Sequence, residues 1–294
     1  MMRLVAIVLG AIFFAGCGLG GPPVRMPRES PSQHWGQATV VAPQLYERGL
    51  MLAGGRQRHV LSNRPGVTSE PVIVVIDGSG CGSTVVKNGD GSLNERFWGQ
   101  ITASFGAQYR IVSIEKAGVA LFADADDGGP DCSALYQQHA SLEERILEQE
   151  SLISALVAER PELAGRIVAI GQSEGAVVAA FLGKNSGLRA IGVLSGLGPS
   201  QAFDFALMFR KRSRGGNPSN IEASVESCLA SIRDILSSPQ RTDKFVWGHS
   251  YKRWASYISK PVSEALAGSS VPTFVAHGSE DSSAQIEGFD YFTG

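Results

Sequence analysis

The chain carries little net charge and few cysteines or histidines. Its 26 Lys and Arg residues against 28 Asp and Glu residues leave a formal net charge of −2, without the basic excess that nucleic-acid binding uses. Its four cysteines and five histidines form no CxxC pair and no Cys/His spacing of a zinc site. We therefore expect no nucleic-acid partner, no metal and no cofactor.

Phosphate-loop and calcium-loop motifs are missing as well. The glycine-rich segment 78–83 lacks the lysine of a P-loop and fits no G-x-G-x-x-G frame. A second loop concentrates carboxylates, but Gly-Gly-Pro interrupts them and the closing Glu of an EF-hand is absent: Asp124, Asp126, Asp127 and Asp131. This pattern favours a solvated loop over a calcium site.

The composition is that of a globular enzyme core. Hydrophobic residues make up 43% of the chain and charged residues 18%. A length of 294 residues suits one large α/β domain with insertions.

An apolar run stands at the N-terminus. Arg3 precedes an apolar stretch, residues 4–14, that is too short to span a bilayer as a mature helix. It ends in Phe-Ala-Gly-Cys17, which resembles the lipobox of bacterial lipoproteins, although Leu is usual at the first position. In that family the cysteine is lipidated and becomes the mature N-terminus. An ordinary secretory signal cleaved just before Cys17 is the alternative.

The lipobox resemblance implies how the N-terminal segment is divided. Residues 1–17 would be a lipoprotein signal peptide, and residues 18–35, rich in Gly, Pro, Ser and Arg, a flexible tether to a domain at 36–294. Gly18 is not the Asp that marks inner-membrane retention in the resembled family. We therefore expect a lipid anchor in the outer membrane, with the protein facing the periplasm.

The central motif of the chain is a G-x-S-x-G pentapeptide between a strand and a helix. A β-branched run at 167–170 leads into Gly-Gln-Ser173-Glu-Gly, and small helix-compatible residues follow at 176–182. This context predicts a nucleophile elbow, a sharp turn that lifts the Ser173 hydroxyl above the sheet edge. The amide N–H of Glu174, at the helix N-terminus, would face an incoming carbonyl oxygen. A plain strand-to-helix turn is the alternative.

Strands and helices alternate around this motif. Apolar runs predict buried strands at 71–77, 109–114, 188–196 and 271–277, and early edge strands at 39–42 and 57–62. Helices are predicted at 94–105 and, from the capping box of Ser141 and Glu144, up to Pro161. The alternation predicts an α/β fold with a doubly wound, mostly parallel sheet.

Residues 198–270 contain no clear central strand and predict a helical cap over the sheet. One helix there carries a stripe that predicts its buried face: Ile221, Val225, Leu229, Ile232 and Leu236. The aromatic residues that follow either shape an acyl or aryl pocket or simply pack together: Phe245, Trp247, Tyr251, Trp254 and Tyr257.

The last strand runs into His277-Gly-Ser-Glu280-Asp281. This segment resembles the H-G-x-x-D segment of the α/β-hydrolase superfamily. With the elbow in the expected order, the resemblance covers about residues 72–281 and is closest to secreted esterases and dienelactone-hydrolase-like enzymes. It implies acyl transfer by Ser173, with Asp281 as the triad acid, Glu280 in reserve and His277 structural.

The resemblance also gives the glycine-rich loop a role. The glycine-rich segment 78–83 follows the predicted strand at 71–77. In the family the loop at this position donates the second oxyanion N–H, which here would come from Ser79, with Gly80 as the alternative. The family usually shows His-Gly here, and this chain has Asp-Gly. Cys81 and Cys132 sit on loops expected at the same sheet edge, so we expect them to form a disulfide in an oxidising compartment.

The catalytic histidine is missing from its expected place. The family order is Ser, acid, His, and no histidine follows Asp281. Three interpretations follow: an enzyme truncated at its C-terminus, which we favour; an enzyme that uses His249 in the cap as base; or a non-catalytic relative that binds a ligand or partner. The first two predict a cell-envelope esterase acting on a small-molecule acyl substrate.

Overall fold

The structure is a computed structural model that describes residues 34–289 apart from 67, 126, 186, 197, 214–216 and 282. The predicted signal peptide, Cys17, the tether as far as residue 33, Asp126 and residues 290–294 lie outside the described residues. The strands are β1 (His34–Trp35), β2 (Thr39–Ala42), β3 (Leu45–Leu52), β4 (Arg56–Ser62), β5 (Val72–Ile76), β6 (Val86–Lys87), β7 (Leu93–Asn94), β8 (Arg110–Ile114), β9 (Ile167–Gln172), β10 (Leu188–Leu194), β11 (Phe245–Val246), β12 (His249–Ser250) and β13 (Thr273–Ala276). The α-helices are α1 (Arg96–Phe105), α2 (Ala134–His139), α3 (Leu142–Glu159), α4 (Glu174–Leu182), α5 (Gln201–Arg212), α6 (Pro218–Ser237), α7 (Tyr251–Tyr257) and α8 (Val262–Ala267).

A nine-stranded sheet forms the centre of the molecule, in the order β1-β3-β4-β8-β5-β9-β10-β13, with β2 paired to β3. The strands from β8 to β13 along this path are parallel, and the pairings among β1, β2, β3, β4 and β8 are antiparallel. The mostly parallel sheet predicted from the sequence is confirmed. His34 and Trp35, which the sequence assigned to the tether, pair instead with β3.

Alternate residues of β5 belong to two different hydrophobic layers. Val72, Val74 and Ile76 pack in the layer that contains α3, α4 and α8. Ile73 and Val75 pack in the opposite layer, which contains α1. Every residue of β5 is fully buried, which explains why the strand is apolar throughout rather than alternating. The sheet is therefore covered on both faces, as the doubly wound fold requires.

The segment between β10 and β13 forms the predicted helical cap, with one difference. Helices α5, α6 and α7 share a core with the β11–β12 hairpin; its buried members are Cys228, Ile232, Ile235, Tyr251, Trp254 and Ile258. Helix α8 lies within the range predicted as the cap, but it packs with α4 in the layer that covers the sheet.

The buried face of α6 differs from the predicted stripe. Leu229 and Leu236 are 37% and 45% exposed, whereas Cys228 and Ile235 are fully buried. Both sets keep helical spacing and share Ile232, so periodicity alone could not separate them. The residues of α7 that pack against α6 determine which of its faces is buried, because they contact the side of α6 that carries the smaller Cys228 side chain.

Two neighbouring residues of α6 test which face is buried. We expect Ile235→Ala to lower the free energy of unfolding by about 2 to 5 kcal/mol, because it leaves a cavity in the cap core. Leu236→Ala is the matched control and should cost less than about 0.5 kcal/mol. Urea unfolding followed by circular dichroism measures both. A larger loss in the Leu236 variant would contradict the described packing.

Candidate active site

Ser173 occupies a sharp turn between β9 and α4. Its backbone angles are φ 56° and ψ −117°, and a positive φ is sterically unfavourable for a residue with a Cβ atom. The Ser173 amide donates to the carbonyl oxygen of Leu194 in β10 at 2.9 Å, which ties the turn to the neighbouring strand. The geometry is that of the elbow expected from the G-x-S-x-G motif.

The two glycines of the motif are required by close backbone approach. A Cβ atom built on Gly171 would lie 1.9 Å from the carbonyl oxygen of Gly175. One built on Gly175 would lie 2.0 Å from the carbonyl oxygen of Ile76 in β5. Neither distance is tolerable, so any larger residue would force α4 away from the sheet.

Ser173 opens on a cavity of about 150 Å³ between the sheet edge and the cap. Phe205 and Trp254 give the cavity aromatic walls from α5 and α7, with their ring centroids 5.0 Å apart. Its remaining lining combines small and polar residues: Ser79, Glu174, Val177, Ser195, Gly196, Gly198, Ser200, Gln201, Asp204, Arg253, Val262, Ser283 and Ala284. Of the five predicted cap aromatics, Trp254 lines this cavity.

The glycine-rich loop lies directly beside the serine. A Cβ atom on Gly78 would be 3.9 Å from Ser173 Oγ, and Ser79 lines the same cavity. The structure joins Cys81 and Cys132 in a disulfide, the pairing suggested by their loops, and leaves Cys228 free and buried. The buried Lys116 ammonium donates to the carbonyl oxygens of Gly78 and Gly80, both at 2.6 Å.

Glu174, the residue after the serine, forms a buried ion pair with Arg253. Its Oε2 accepts from Arg253 Nε at 2.9 Å and from Nη2 at 2.8 Å, and each side chain is 4% exposed. Burial alone would raise the pKa of Glu174, but the positive charges of Arg253, Lys116 and Arg145 outweigh burial and lower that pKa to about 2. Glu174 is therefore a permanent anion beneath the elbow.

His249, the base suggested from the sequence, is held in the cap. Its ring stands edge-to-face on Trp254 at 5.1 Å, and it is not among the residues described as lining the Ser173 cavity. A Cβ atom on Gly128 would lie 2.2 Å from His249 Nδ1, so the imidazole packs closely against the backbone at Gly128. Burial, followed by the charge of Arg253, lowers the pKa of His249 to about 3. An imidazole with so low a pKa is a weak proton acceptor.

Asp281 closes a turn rather than facing the cavity. Its Oδ1 accepts from the amides of Ser283 at 2.8 Å and Ala284 at 3.1 Å. His277 Nε2 lies 2.9 Å from the Ala284 carbonyl oxygen, which supports the structural role expected of His277. The reserve acid, Glu280, is exposed. Asp281 thus shapes the segment whose next residues, Ser283 and Ala284, line the cavity.

Asp204 of α5 is a cavity residue that sequence reasoning missed. It is 9% exposed, and its Oδ1 has no hydrogen-bond partner among the described residues. Burial raises the pKa of Asp204 to about 7; the Gln285 amide opposes the shift, and the negative charges of Asp281 and Glu287 add to it. No motif surrounds Asp204 in the sequence, so only the fold of the cap could reveal its position.

Among the described residues there is neither a candidate metal-ion site nor a helix that could cross a membrane. No group of three or more His, Cys, Asp and Glu side chains is placed to hold a metal ion there. Within the same residues, no helix has both the length and the apolar character needed to cross a membrane.

No protein-family model matches the chain, and no significant match is found among curated proteins. Solved structures do match. An alpha/beta hydrolase from Penicillium sp. sh18 has a TM-score of 0.51 and 13% identity, over 85% of this chain and 85% of that one. A proline iminopeptidase from Mycobacterium smegmatis has a TM-score of 0.50 and 14% identity, over 84% and 86% of the two chains.

A third match is to a puromycin hydrolase, with a TM-score of 0.52 and 14% identity. It covers 85% of this chain but 33% of that longer one. At such low identity these likenesses concern the fold. Together with the strand order and the elbow, they show that the chain has the fold of the α/β-hydrolase superfamily.

Proposed function

We propose that the protein is a serine hydrolase that cleaves an ester-type acyl bond with Ser173 as its nucleophile. The observation that supports the proposal most strongly is the strained backbone of Ser173, a residue that lines a cavity. Such strain persists only where the surrounding structure enforces it, and it is concentrated at functional sites. An ordinary strand-to-helix turn would have no need of it.

Two backbone amides are suited to hold the oxyanion that forms when Ser173 attacks a carbonyl. One is the N–H of Glu174 at the N-terminus of α4, where the helix dipole favours negative charge. The other is the N–H of Ser79 in the glycine-rich loop, which lines the cavity whereas Gly80 does not. Donors fixed in advance stabilise the developing charge without reorganisation.

The proton acceptor is best sought among the titratable groups of the cavity. Glu174 is bound to Arg253 and, with a pKa of about 2, is a very weak base. Asp204 lines the cavity with Ser173 and has a pKa of about 7, the value that suits a general base near neutral pH. We therefore assign to Asp204 the role of general base, which the family resemblance implied for a histidine.

The proposed reaction conserves atoms and charge. The Ser173 proton passes to the Asp204 carboxylate as Oγ bonds to the substrate carbonyl carbon. The tetrahedral oxyanion then collapses, the ester C–O bond breaks, and the alcohol leaves with that proton. Water hydrolyses the acyl-enzyme by the same route in reverse. A cavity of about 150 Å³, below the roughly 300 Å³ of sites for drug-sized ligands, suits a small-molecule acyl substrate.

A binding-only protein is the second candidate function. It is favoured by one observation: no histidine is among the described residues that line the Ser173 cavity. A serine without a competent base is a poor nucleophile. In that case the same cavity would hold a ligand or partner group without turning it over.

We further propose that the protein is a lipoprotein of the cell envelope, anchored through Cys17 in the outer membrane and facing the periplasm. The support is the lipobox-like sequence before Cys17 and the composition of the tether. Labelled palmitate fed to a bacterium expressing the full chain should appear on the wild-type protein in the membrane fraction and not on Cys17→Ser. An unlabelled wild-type protein released in soluble form would indicate an ordinary secretory signal.

Fluorophosphonate labelling tests the nucleophile. We expect one covalent adduct per chain in intact mass spectra of the wild type, because the reagent reacts with activated serines. Ser173→Ala should carry no adduct. The matched control is Ser195→Ala, which removes another hydroxyl from the same cavity and should keep the adduct. A folded wild-type protein that takes up no reagent would favour the binding-only alternative.

Asp204→Asn tests the base. Asparagine has the same shape but cannot accept the proton, so we expect the labelling rate to fall by about 100-fold. In the wild type the rate should rise with pH through about 7, because the carboxylate form is the active one and accumulates above its pKa. His249→Gln is the control and should label within about threefold of wild type. Loss of labelling in His249→Gln with a normal rate in Asp204→Asn would reverse the assignment.

A further inference from the structure

We propose that Lys116 is a positioning residue that aims the Ser79 amide at the reacting carbonyl. Lys116 follows β8 and is 6% exposed. Its ammonium donates to two carbonyl oxygens of the glycine-rich loop, those of Gly78 and Gly80. The inference rests on the proposed function, because it explains how one oxyanion donor is held.

The planar peptide bond links the contact of Lys116 to the direction of the Ser79 amide. In a trans peptide the C=O of one residue and the N–H of the next point in opposite directions. The Lys116 ammonium donates a hydrogen bond to the Gly78 carbonyl oxygen at 2.6 Å. The N–H of Ser79 must therefore point away from the ammonium. Gly78 is the loop residue whose Cβ position lies 3.9 Å from Ser173 Oγ. The peptide that Lys116 orients is therefore the one beside the nucleophile.

The far end of the glycine-rich loop is fixed by other contacts. The Cys81 amide donates to the carbonyl oxygen of Asp127 at 3.0 Å, and the Ser83 amide to that of Ala123 at 2.8 Å. The disulfide between Cys81 and Cys132 adds a covalent link. These contacts hold residues 81–83. The part of the loop nearest Ser173 is held by the hydrogen bonds from Lys116 to the carbonyl oxygens of Gly78 and Gly80.

Burial of an ammonium group costs desolvation free energy, and its use to hold a loop therefore indicates a role in the chemistry. Burial lowers the pKa of Lys116 to about 8, with Arg145 adding to the shift and Glu174, Asp77 and Glu115 opposing it. A hydrophobic side chain of similar length would avoid this cost. It would leave the Gly78 and Gly80 carbonyls without their donor.

Lys116 acts through the loop, since it is not among the described residues that line the Ser173 cavity. Removing it should therefore slow the chemical step and leave substrate binding nearly unchanged. This split separates a positioning role from a merely structural one, because general loosening of the site would weaken binding as well.

The kinetic test compares Lys116→Met with Lys252→Met. Lys252 also donates to a backbone carbonyl oxygen, that of Gln138 at 2.5 Å, but outside the cavity. With a fluorophosphonate at several concentrations, we expect Lys116→Met to lower the limiting rate constant by about 100-fold, the cost of one misplaced oxyanion donor. The half-saturating concentration should stay within about threefold. A limiting rate equal to that of the Lys252 variant would overturn the inference.

A second measurement needs no activity. The chain contains five Gly–Ser pairs, at 78–79, 82–83, 91–92, 268–269 and 278–279. Labelling glycine carbonyl carbons with ¹³C and serine nitrogens with ¹⁵N restricts a carbonyl–amide correlation spectrum to these five signals. Ser79→Ala identifies the Gly78–Ser79 signal by removing it. We expect Lys116→Met to shift this signal most, because its carbonyl loses a hydrogen bond, while the pairs at 91–92 and 268–269 stay in place.

The two measurements separate the failure of this inference from failure of the proposed function. An unmoved Gly78–Ser79 signal in a folded Lys116→Met protein would overturn the inference whatever the labelling shows. A shifted signal with no labelling of the wild type would support the positioning of the peptide and refute the hydrolase. If Lys116→Met does not fold, Lys116→Gln replaces it. Its side chain is shorter and its amide is uncharged, so the Gly78–Ser79 signal should still shift more than those of the pairs at 91–92 and 268–269, and an unmoved signal would overturn the inference.

Discussion

The close approach of backbone at the elbow is the constraint on which the rest of the structure depends. Gly171 and Gly175 bring α4 so near β9 and β5 that a single Cβ atom on either glycine would lie about 2 Å from a carbonyl oxygen. This contact forces Ser173 into its strained backbone, and strand β10 holds it there through the Leu194 carbonyl. Because the apolar layers on both faces bury all of β5 and residues 167–171 of β9, the strain is stabilised by the core rather than relaxed by movement.

The buried charges around the elbow form one connected arrangement. Glu174 begins α4 and is neutralised by Arg253 from the cap, which itself stacks on Trp254 with its guanidinium 3.9 Å from the ring centroid. The positive charge of Lys116 also acts on Glu174, and the Lys116 ammonium binds the glycine-rich loop. The ion pair therefore fixes α7 relative to the nucleophile, and the cap is joined to the sheet at the place where chemistry is proposed. Removing one partner would leave a charge buried alone, at a cost of about 3 to 5 kcal/mol.

Local patterns in the sequence predicted much of this architecture. The buried strands, the doubly wound sheet and the elbow follow from apolar runs and from one pentapeptide in its context, because these features depend on neighbours along the chain. The prediction of the buried face of α6 was wrong, because two apolar stripes fitted the helical period and only the packing of α7 distinguishes them. The contacts of Lys116 and the position of Asp204 could not be foreseen, since each joins segments more than 30 residues apart and neither lies in a motif. His249 was suggested by its residue type, which says nothing about burial.

A crystal structure of the protein after reaction with a fluorophosphonate would test the central claim most directly. The account predicts phosphorus bonded to Ser173 Oγ, with its phosphoryl oxygen within about 3 Å of the amide nitrogens of Glu174 and Ser79, the range of a normal hydrogen bond. Phosphorus on another residue, or a phosphoryl oxygen turned away from both amides, would contradict it.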